Sequence, residues 1–423
     1  LPSRPRAVLV ERLEWGQESR IDELKELAES AGYDVVGSFR QVRHEDPRHH
    51  IGEGKVKELA EFVRENDVDK VIFENEIKPV QAFNLAGELG VEVIDRFQLI
   101  LEIFAQRART REAKLQVKLA QLKYELPRAR EMVNLAKKEE RPGFRGLGKY
   151  EADKYEEMIR RKIAKIEREL RRIEKDRELK RKHRHRLGFE LVTLAGYTCA
   201  GKSTLMRTLT DEAVYVDSKM FSTLDTKTRA VDLDGHRVLL TDTVGFVDNL
   251  PHWLVESFKS TLEETAQADL ILLVVDVSDE LPEIKRKLRV CHRTLDEIGA
   301  EGPIVTALNK ADLIGWEEAE RRLRELEGYV SHPVAVSAKT GEGLDDLKAK
   351  MRKVLSRYWK NVRIELPMRN ETMRVVSKLH ELGNVLDERW SNDGVEVFLE
   401  VSEKALGTVR GTVKGFGKVE ILD

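Results

Sequence analysis

Over the first hundred positions, short apolar runs alternate with amphipathic stretches. Ala7–Val10, Val35–Phe39, Val71–Phe73 and Val91–Ile94 read as strands, and Ile21–Ala31, Lys55–Asn66 and Pro79–Leu89 as helices. That alternation implies βαβ units and a mostly parallel sheet. From Gln106 the pattern changes. Leu115, Leu119, Leu122 and Leu126 recur at helical spacing, as do Ile159, Ile163, Ile166, Leu170 and Ile173. Pro142, Gly143, Gly146 and Gly148 interrupt the two stripes, which predicts an antiparallel hairpin of long helices with the apolar stripes as its seam. After the basic run Arg181–Arg186, continuous apolar strands resume at Leu191–Ala195, Val238–Thr241, Leu270–Val275, Ile304–Leu308 and Val334–Val336. Such runs suit a sheet buried on both faces. From about Val362 a small segment reads strand, helix, strand, strand and a further helix.

Composition sharpens this picture in two places. The chain has 423 residues, too many for one ordinary core, and 35% of them are charged. The formal net charge of −2 hides an asymmetry. Gln106 to Leu187 holds 28 Lys and Arg against 14 Asp and Glu, between acidic flanks. A basic middle suits either a polyanion partner or a solvated helical surface. Two cysteines, Cys199 and Cys291, make no disulfide framework, and Leu270–Val275 is the longest apolar run, far too short to span a membrane. No signal peptide is legible, so a cytoplasmic setting without stable membrane insertion is expected. The chain opens on Leu1, so an initiator Met is expected to have been removed.

The candidate chemistry begins where the strand Leu191–Ala195 runs into Gly196-Tyr197-Thr198-Cys199-Ala200-Gly201-Lys202-Ser203, followed by a helical pattern from Thr204. This is G-x-x-x-x-G-K-S in its strand–loop–helix context. The glycines let the backbone approach phosphates, and the loop amides form an anion nest. Lys202 would reach the β and γ phosphates, and Ser203 would ligate Mg²⁺. That motif leaves ATP and GTP open. Asp242-Thr243-Val244-Gly245, at a strand end, supplies a second Mg²⁺ ligand in Asp242 and a γ-phosphate amide in Gly245. Asn309-Lys310-Ala311-Asp312 also follows a buried strand, and a carboxylate at Asp312 can accept from both the ring N–H and the exocyclic amine of guanine. Ser337-Ala338-Lys339 matches a loop whose Ala amide meets the guanine carbonyl. Each short motif is weak alone; in this order, each after a strand, they select GTP. Within Phe221-Ser-Thr-Leu-Asp225, Thr223 is the candidate first switch and third Mg²⁺ ligand, with Thr226 and Thr228 as competitors. Lys202, Thr223 and Gly245 are the expected catalytic groups. Phe246 follows Gly245, where Ras-like enzymes carry a water-orienting glutamine; its ring offers no such hydrogen bond. Slow intrinsic hydrolysis follows, or a binder with almost no turnover. Trp253 and Trp316 read as surface or packing residues of this domain.

These residues resemble the HflX family of ribosome-associated GTPases over nearly the whole chain. The resemblance lies in Ile51–Leu59, in Val93–Phe97, in the block Leu101–Gln116 continuing to Leu119–Tyr124, in Phe221–Asp225 and in Asp242–Phe246. Two departures stand out. Cys199 replaces an Asn that helps bind potassium in some related GTPases, which removes the ground for carrying potassium stimulation over. The loop Arg145–Glu151 differs from the bacterial pattern, as in a divergent, archaeal-type branch. The resemblance implies binding to the large ribosomal subunit and ribosomal RNA, with subunit dissociation or rescue as output. Arg141, Arg145 and Lys149 at the hairpin loop suit RNA shape recognition. The alternative is a nucleotide-gated RNA or ribosome-assembly binding factor with little functional hydrolysis.

The expected organisation is multidomain α/β. An N-terminal parallel α/β domain spans 1–105 and a basic antiparallel helical hairpin spans 106–187. A Ras-like P-loop G domain spans 188–360 and a small α+β C-terminal domain spans 361–423. A monomer that does not bind DNA is expected. The guanine reading makes one prediction: Asp312→Asn shifts nucleotide preference from guanine toward xanthine, measured by competition with labelled GDP. Unchanged preference would contradict the role of Asp312.

Overall fold

The computed structural model describes residues 4–129, 131, 147–186, 189–210, 227–243, 245–246, 248, 252–257 and 264–422. Phe221, Thr223, Thr226, Arg141 and Arg145 lie outside the described residues. The chain divides into two compact units, one reaching to Arg171 and also holding the short helix His252–Ser257, the other holding most of the remainder.

In the first unit, β1 (Arg6–Leu13), β2 (Asp34–Val42), β3 (Lys70–Phe73) and β4 (Glu92–Asp95) form a parallel sheet in the order β2-β1-β3-β4. Val8, Val10, Val71 and Phe73 share a core with Val56, Leu59 and Leu85 from the intervening helices. β1 runs further than its apolar run Ala7–Val10, through Glu11 and Arg12. Both polar side chains are buried because each finds partners. The Glu11 carboxylate accepts from Ser19 Oγ and the Arg20 amide, both at 2.5 Å. Arg12 donates to His50 Nε2 at 3.1 Å and to the Arg43 carbonyl at 2.9 Å. The helices Arg111–Glu125 and Leu147–Arg186 share a cluster of Leu122, Ala129 and Ile159, flanked by Leu126, Tyr155, Ile163 and Ile166, which includes part of the two expected stripes. Trp253 belongs with this unit rather than with the G-domain packing: its ring centroid lies 6.3 Å from Phe97 and 5.7 Å from Tyr124.

In the second unit, β5 (Glu190–Gly196), β6 (Lys227–Leu233), β7 (His236–Asp242), β8 (Leu270–Asp276), β9 (Ile304–Asn309) and β10 (Val334–Ala335) form a sheet in the order β10-β9-β8-β5-β7-β6. All neighbours are parallel except β6, which returns antiparallel to β7. Leu270 to Val275 are buried, as a strand covered on both faces requires. Parallel pairing brings the C-terminal ends of β5, β7, β8 and β9 to one edge, where this sheet class binds ligands.

The last sheet is antiparallel, in the order β12-β13-β11-β14 for β11 (Trp359–Pro367), β12 (Asn384–Trp390), β13 (Gly394–Ser402) and β14 (Lys418–Leu422). β14 is an element the sequence pattern missed, since it is short and largely exposed and acquires its strand character by pairing with β11. β11 starts at Trp359, across the expected boundary at 360/361. Trp359 stacks on His236 with centroids 3.6 Å apart, and its indole N–H donates to Glu190 Oε1 at 2.6 Å.

Glu190 is 3% exposed, and burial pushes its carboxyl up to about 7. A carboxyl raised in the fold keeps its proton there while the unfolded chain has lost it. Its ionisation therefore subtracts stability as pH climbs from about 4.5 to about 7. Glu190→Gln keeps the acceptor for Trp359 and removes that penalty. The variant should exceed the native chain by roughly 2–3 kcal/mol at pH 8, and by less than about 1 kcal/mol at pH 5. Thermal melting of both proteins at the two pH values tests this; parallel curves would contradict it.

Candidate functional site

The loop between β5 and the helix Lys202–Leu209 is shaped by two glycines at which a side chain would run into other chain segments. At Gly196 (φ +144°) a Cβ would lie 2.2 Å from the Val274 carbonyl of β8. At Gly201 (φ +95°) it would lie 2.2 Å from Asn309 Nδ2. Between them Cys199 is exposed and holds φ +61°, a left-handed conformation in which Asn is several-fold enriched. Gly201 at the N-cap has no side chain with which to bond the helix's first amides at its positive dipole end. Loop and terminus together make an anion cradle.

Lys202 is buried, and its ammonium donates to the carbonyls of Gly196 at 2.9 Å and Tyr197 at 2.8 Å. Burial lowers its pKa, opposed by the charge of Asp242. Ser203 Oγ donates to Asp242 Oδ2 at 2.8 Å, which sets a hydroxyl and a carboxylate side by side. Two hard oxygen donors of this kind, near the cradle, fit Mg²⁺. Thr204 continues the helix, and its carbonyl accepts from Thr208 Oγ.

Gly245 approaches the loop closely. A methyl built on it would sit 2.9 Å from Thr198 Cγ2, 3.0 Å from Lys202 Nζ and 3.1 Å from Thr198 Cα. Phe246 turns inward and is 2% exposed. Its amide donates to Gly196 O at 3.0 Å, and its carbonyl accepts from the Thr198 amide at 2.9 Å. Two further residues emerge here that sequence reasoning missed. The Asp248 amide donates to the Tyr197 hydroxyl at 3.1 Å, and the Asp248 carboxylate pairs with Arg286 at 2.7 Å. No local motif announces that pair, because Arg286 sits on the helix Leu281–Glu297, one basic residue among several.

At the other end of the sheet edge, Asn309 links two loops. Its Nδ2 donates to the Ala200 carbonyl at 2.8 Å, and its Oδ1 accepts from the Ala338 amide at 2.9 Å. Lys310 takes φ +68° and pairs with Asp276, a carboxylate at the end of β8 that its strand-end position could have flagged. Asp312 Oδ1 accepts from Ser337 Oγ at 2.7 Å. Thr208 Oγ donates to the Ala338 carbonyl at 2.7 Å, and Lys339 is exposed. The structure thus gathers the loop Gly196–Thr204, Asp242, Gly245, Asn309 to Asp312 and Ser337 to Lys339 along one edge. Phe221 and Thr223 are outside the described residues.

A parallel sheet with this loop after its β5 strand, a serine–aspartate pair beneath it and an N-K-x-D turn beside it defines a P-loop GTPase. Family profiles described as GTP-binding GTPase N-terminal, GTP-binding GTPase Middle Region and 50S ribosome-binding GTPase match residues 18–105, 107–184 and 191–310. The GTPase HflX of Methanocaldococcus jannaschii is 44% identical over 368 residues, covering 87% of this chain and 89% of that relative. The GTPase HflX of Escherichia coli is 36% identical, covering 90% of this chain and 89% of its own length. The crystal structure of SsGBP with GDP superposes with a TM-score of 0.50 at 25% identity, over 84% of this chain and 99% of that one. The chain belongs to the HflX family of GTPases and is a GTP hydrolase.

The packing of Gly245 makes a prediction. Gly245→Ala drives a methyl into Thr198 and the Lys202 ammonium. It should slow GTP turnover by about a hundredfold and leave GDP binding close to native, because GDP has no γ phosphate to meet that amide. Single-turnover hydrolysis and GDP titration measure the two effects; native turnover would refute the assignment.

Proposed function

We propose that this GTPase works on the large ribosomal subunit, in subunit dissociation or rescue, as a cytoplasmic monomer. The observation that carries the nucleotide half is the Ser203–Asp242 pair beneath a loop that holds the buried Lys202 ammonium. Lys202 and the loop amides balance the charge that grows on the phosphates during transfer. Asp312 accepts from guanine, Asn309 sets the spacing between the base and phosphate loops, and the Ala338 region faces the base carbonyl. Mg²⁺, held by Ser203 and Asp242 with Thr223 as third ligand, supplies further charge neutralisation when bound.

Two observations support the ribosomal half. The profile matching residues 191–310 is described as a 50S ribosome-binding GTPase. On the long helix, Lys154, Arg161, Lys165 and Arg168 are exposed at helical spacing, so they form one basic face. Such a face neutralises phosphates and releases their counterions. Among the described residues no helix is long and apolar enough to cross a membrane. One observation favours the second reading, a nucleotide-gated RNA or assembly factor with little hydrolysis: Phe246, where a glutamine would serve, is buried.

GTP turnover with and without purified large ribosomal subunits, at two salt concentrations, tests the proposal. The expected result is stimulation of at least about tenfold that fades as salt rises. Equal, slow turnover in all four conditions would leave the nucleotide site intact and remove the ribosomal role.

A further inference from the structure

In a trans peptide the C=O of one residue and the N–H of the next lie in one plane and point in opposite directions. Whatever holds the carbonyl therefore aims the amide. The peptide between Ala338 and Lys339 is held in this way. The amide before it, that of Ala338, is already committed and donates to Asn309 Oδ1 at 2.9 Å. The Lys339 amide has no such commitment: among the described residues none accepts from it. Asp312 adjoins the same loop, since its Oδ1 accepts from Ser337 Oγ at 2.7 Å.

Thr208 holds the carbonyl. Its hydroxyl donates to Ala338 O at 2.7 Å, across 130 positions of sequence. A threonine inside a helix ordinarily turns its proton back to the carbonyl four residues earlier. That acceptor, on Thr204, is also within reach at 3.0 Å, and the nearer of the two partners is the one on the distant loop. Ala338 is buried, so its carbonyl depends on a partner within the protein. Thr208 supplies that partner from the helix Lys202–Leu209, which opens with the lysine and serine of the phosphate loop. The Ala338 residue is thus gripped at both ends, its amide by Asn309 and its carbonyl by Thr208.

We propose that Thr208 is a positioning residue for guanine: by holding the Ala338 carbonyl toward its own helix, it aims the Lys339 N–H the opposite way, at the carbonyl of the base. This rests on the reading of Asp312 as the acceptor for guanine. Guanine carries its carbonyl next to the ring N–H that Asp312 takes, so one loop edge serves both groups. Adenine carries an amine in place of that carbonyl and would set one donor against another. The base is then tested at two points, a carboxylate and an amide, and a misplaced amide loses discrimination as well as affinity. The phosphates need nothing from the Thr208 hydroxyl, so its removal acts on the base alone.

Thr208→Val keeps the branched shape and removes the hydroxyl; Thr208→Ser keeps the hydroxyl. Both are compared with the native chain in binding of fluorescent GDP, in competition by ADP, and in single-turnover hydrolysis at saturating GTP. Thr208→Val should bind GDP about fivefold more weakly, with ADP affinity and the saturated hydrolysis rate within about twofold of native, and Thr208→Ser should bind GDP within about twofold of native. Native GDP affinity in Thr208→Val would overturn the proposal. So would an equal loss for GDP and ADP, or a Thr208→Ser variant as weak as Thr208→Val, since either leaves Thr208 a packing role alone. Asp312→Asn in the same assays separates this proposal from the reading beneath it. A shift toward xanthosine diphosphate, alongside native GDP binding by Thr208→Val, removes the role of Thr208 alone. An unchanged guanine preference in Asp312→Asn removes the guanine contact and the role of Thr208 with it.

Discussion

The carboxamide of Asn309 holds together two loops that lie far apart in the chain, one ending at Gly201 and one carrying Ala338. It donates to Ala200 and accepts from Ala338, and both bonds are buried. Each bond contributes on the order of 1 kcal/mol, but breaking one would strand a buried polar group at a cost of about 1–3 kcal/mol. That asymmetry ties the glycine-rich loop to the turn that carries Asp312 and Ser337. Gly201 must be a glycine for the same reason, because Asn309 occupies the space a side chain there would need. The loop that leads into Lys202 and Ser203 and the turn that carries Asp312 are joined through this one side chain.

The segment after Asp242 is bound to the same frame. Phe246 pairs with the first residues of the phosphate loop, and Asp248 reaches both Tyr197 and Arg286. Whatever rearranges on γ-phosphate binding must exchange these bonds for others, since a lost buried bond without a replacement is penalised. The buried aromatic is thus part of the scaffold, tied by its backbone to Gly196 and Thr198.

The second unit also buries two titratable side chains beside Trp359. Glu190 and His236, both buried near Trp359, are held neutral by desolvation, the carboxyl pushed up to about 7 and the imidazole down to about 4. Neutral forms of both coexist between those values, so this contact of β5 and β7 with β11 is best satisfied in mildly acidic to neutral solution.

The sequence by itself determined the strand–helix alternation, two long helices that share part of the expected apolar seam, and the order of the nucleotide motifs. These are written locally: an apolar period of two or 3.6, a glycine where the backbone must turn left-handed, a carboxylate at the end of a buried strand. It read β1 too short at Glu11 and Arg12, missed β14, and put Trp253 with the wrong neighbours. Only the tertiary structure decided which polar residues are buried in partnership, as with Glu11 and Ser19, Glu190 and Trp359, or Asp248 and Arg286. A hydrogen bond between residues tens to hundreds of positions apart leaves no periodic trace in the chain, because its geometry exists only after the sheets have brought the two ends together.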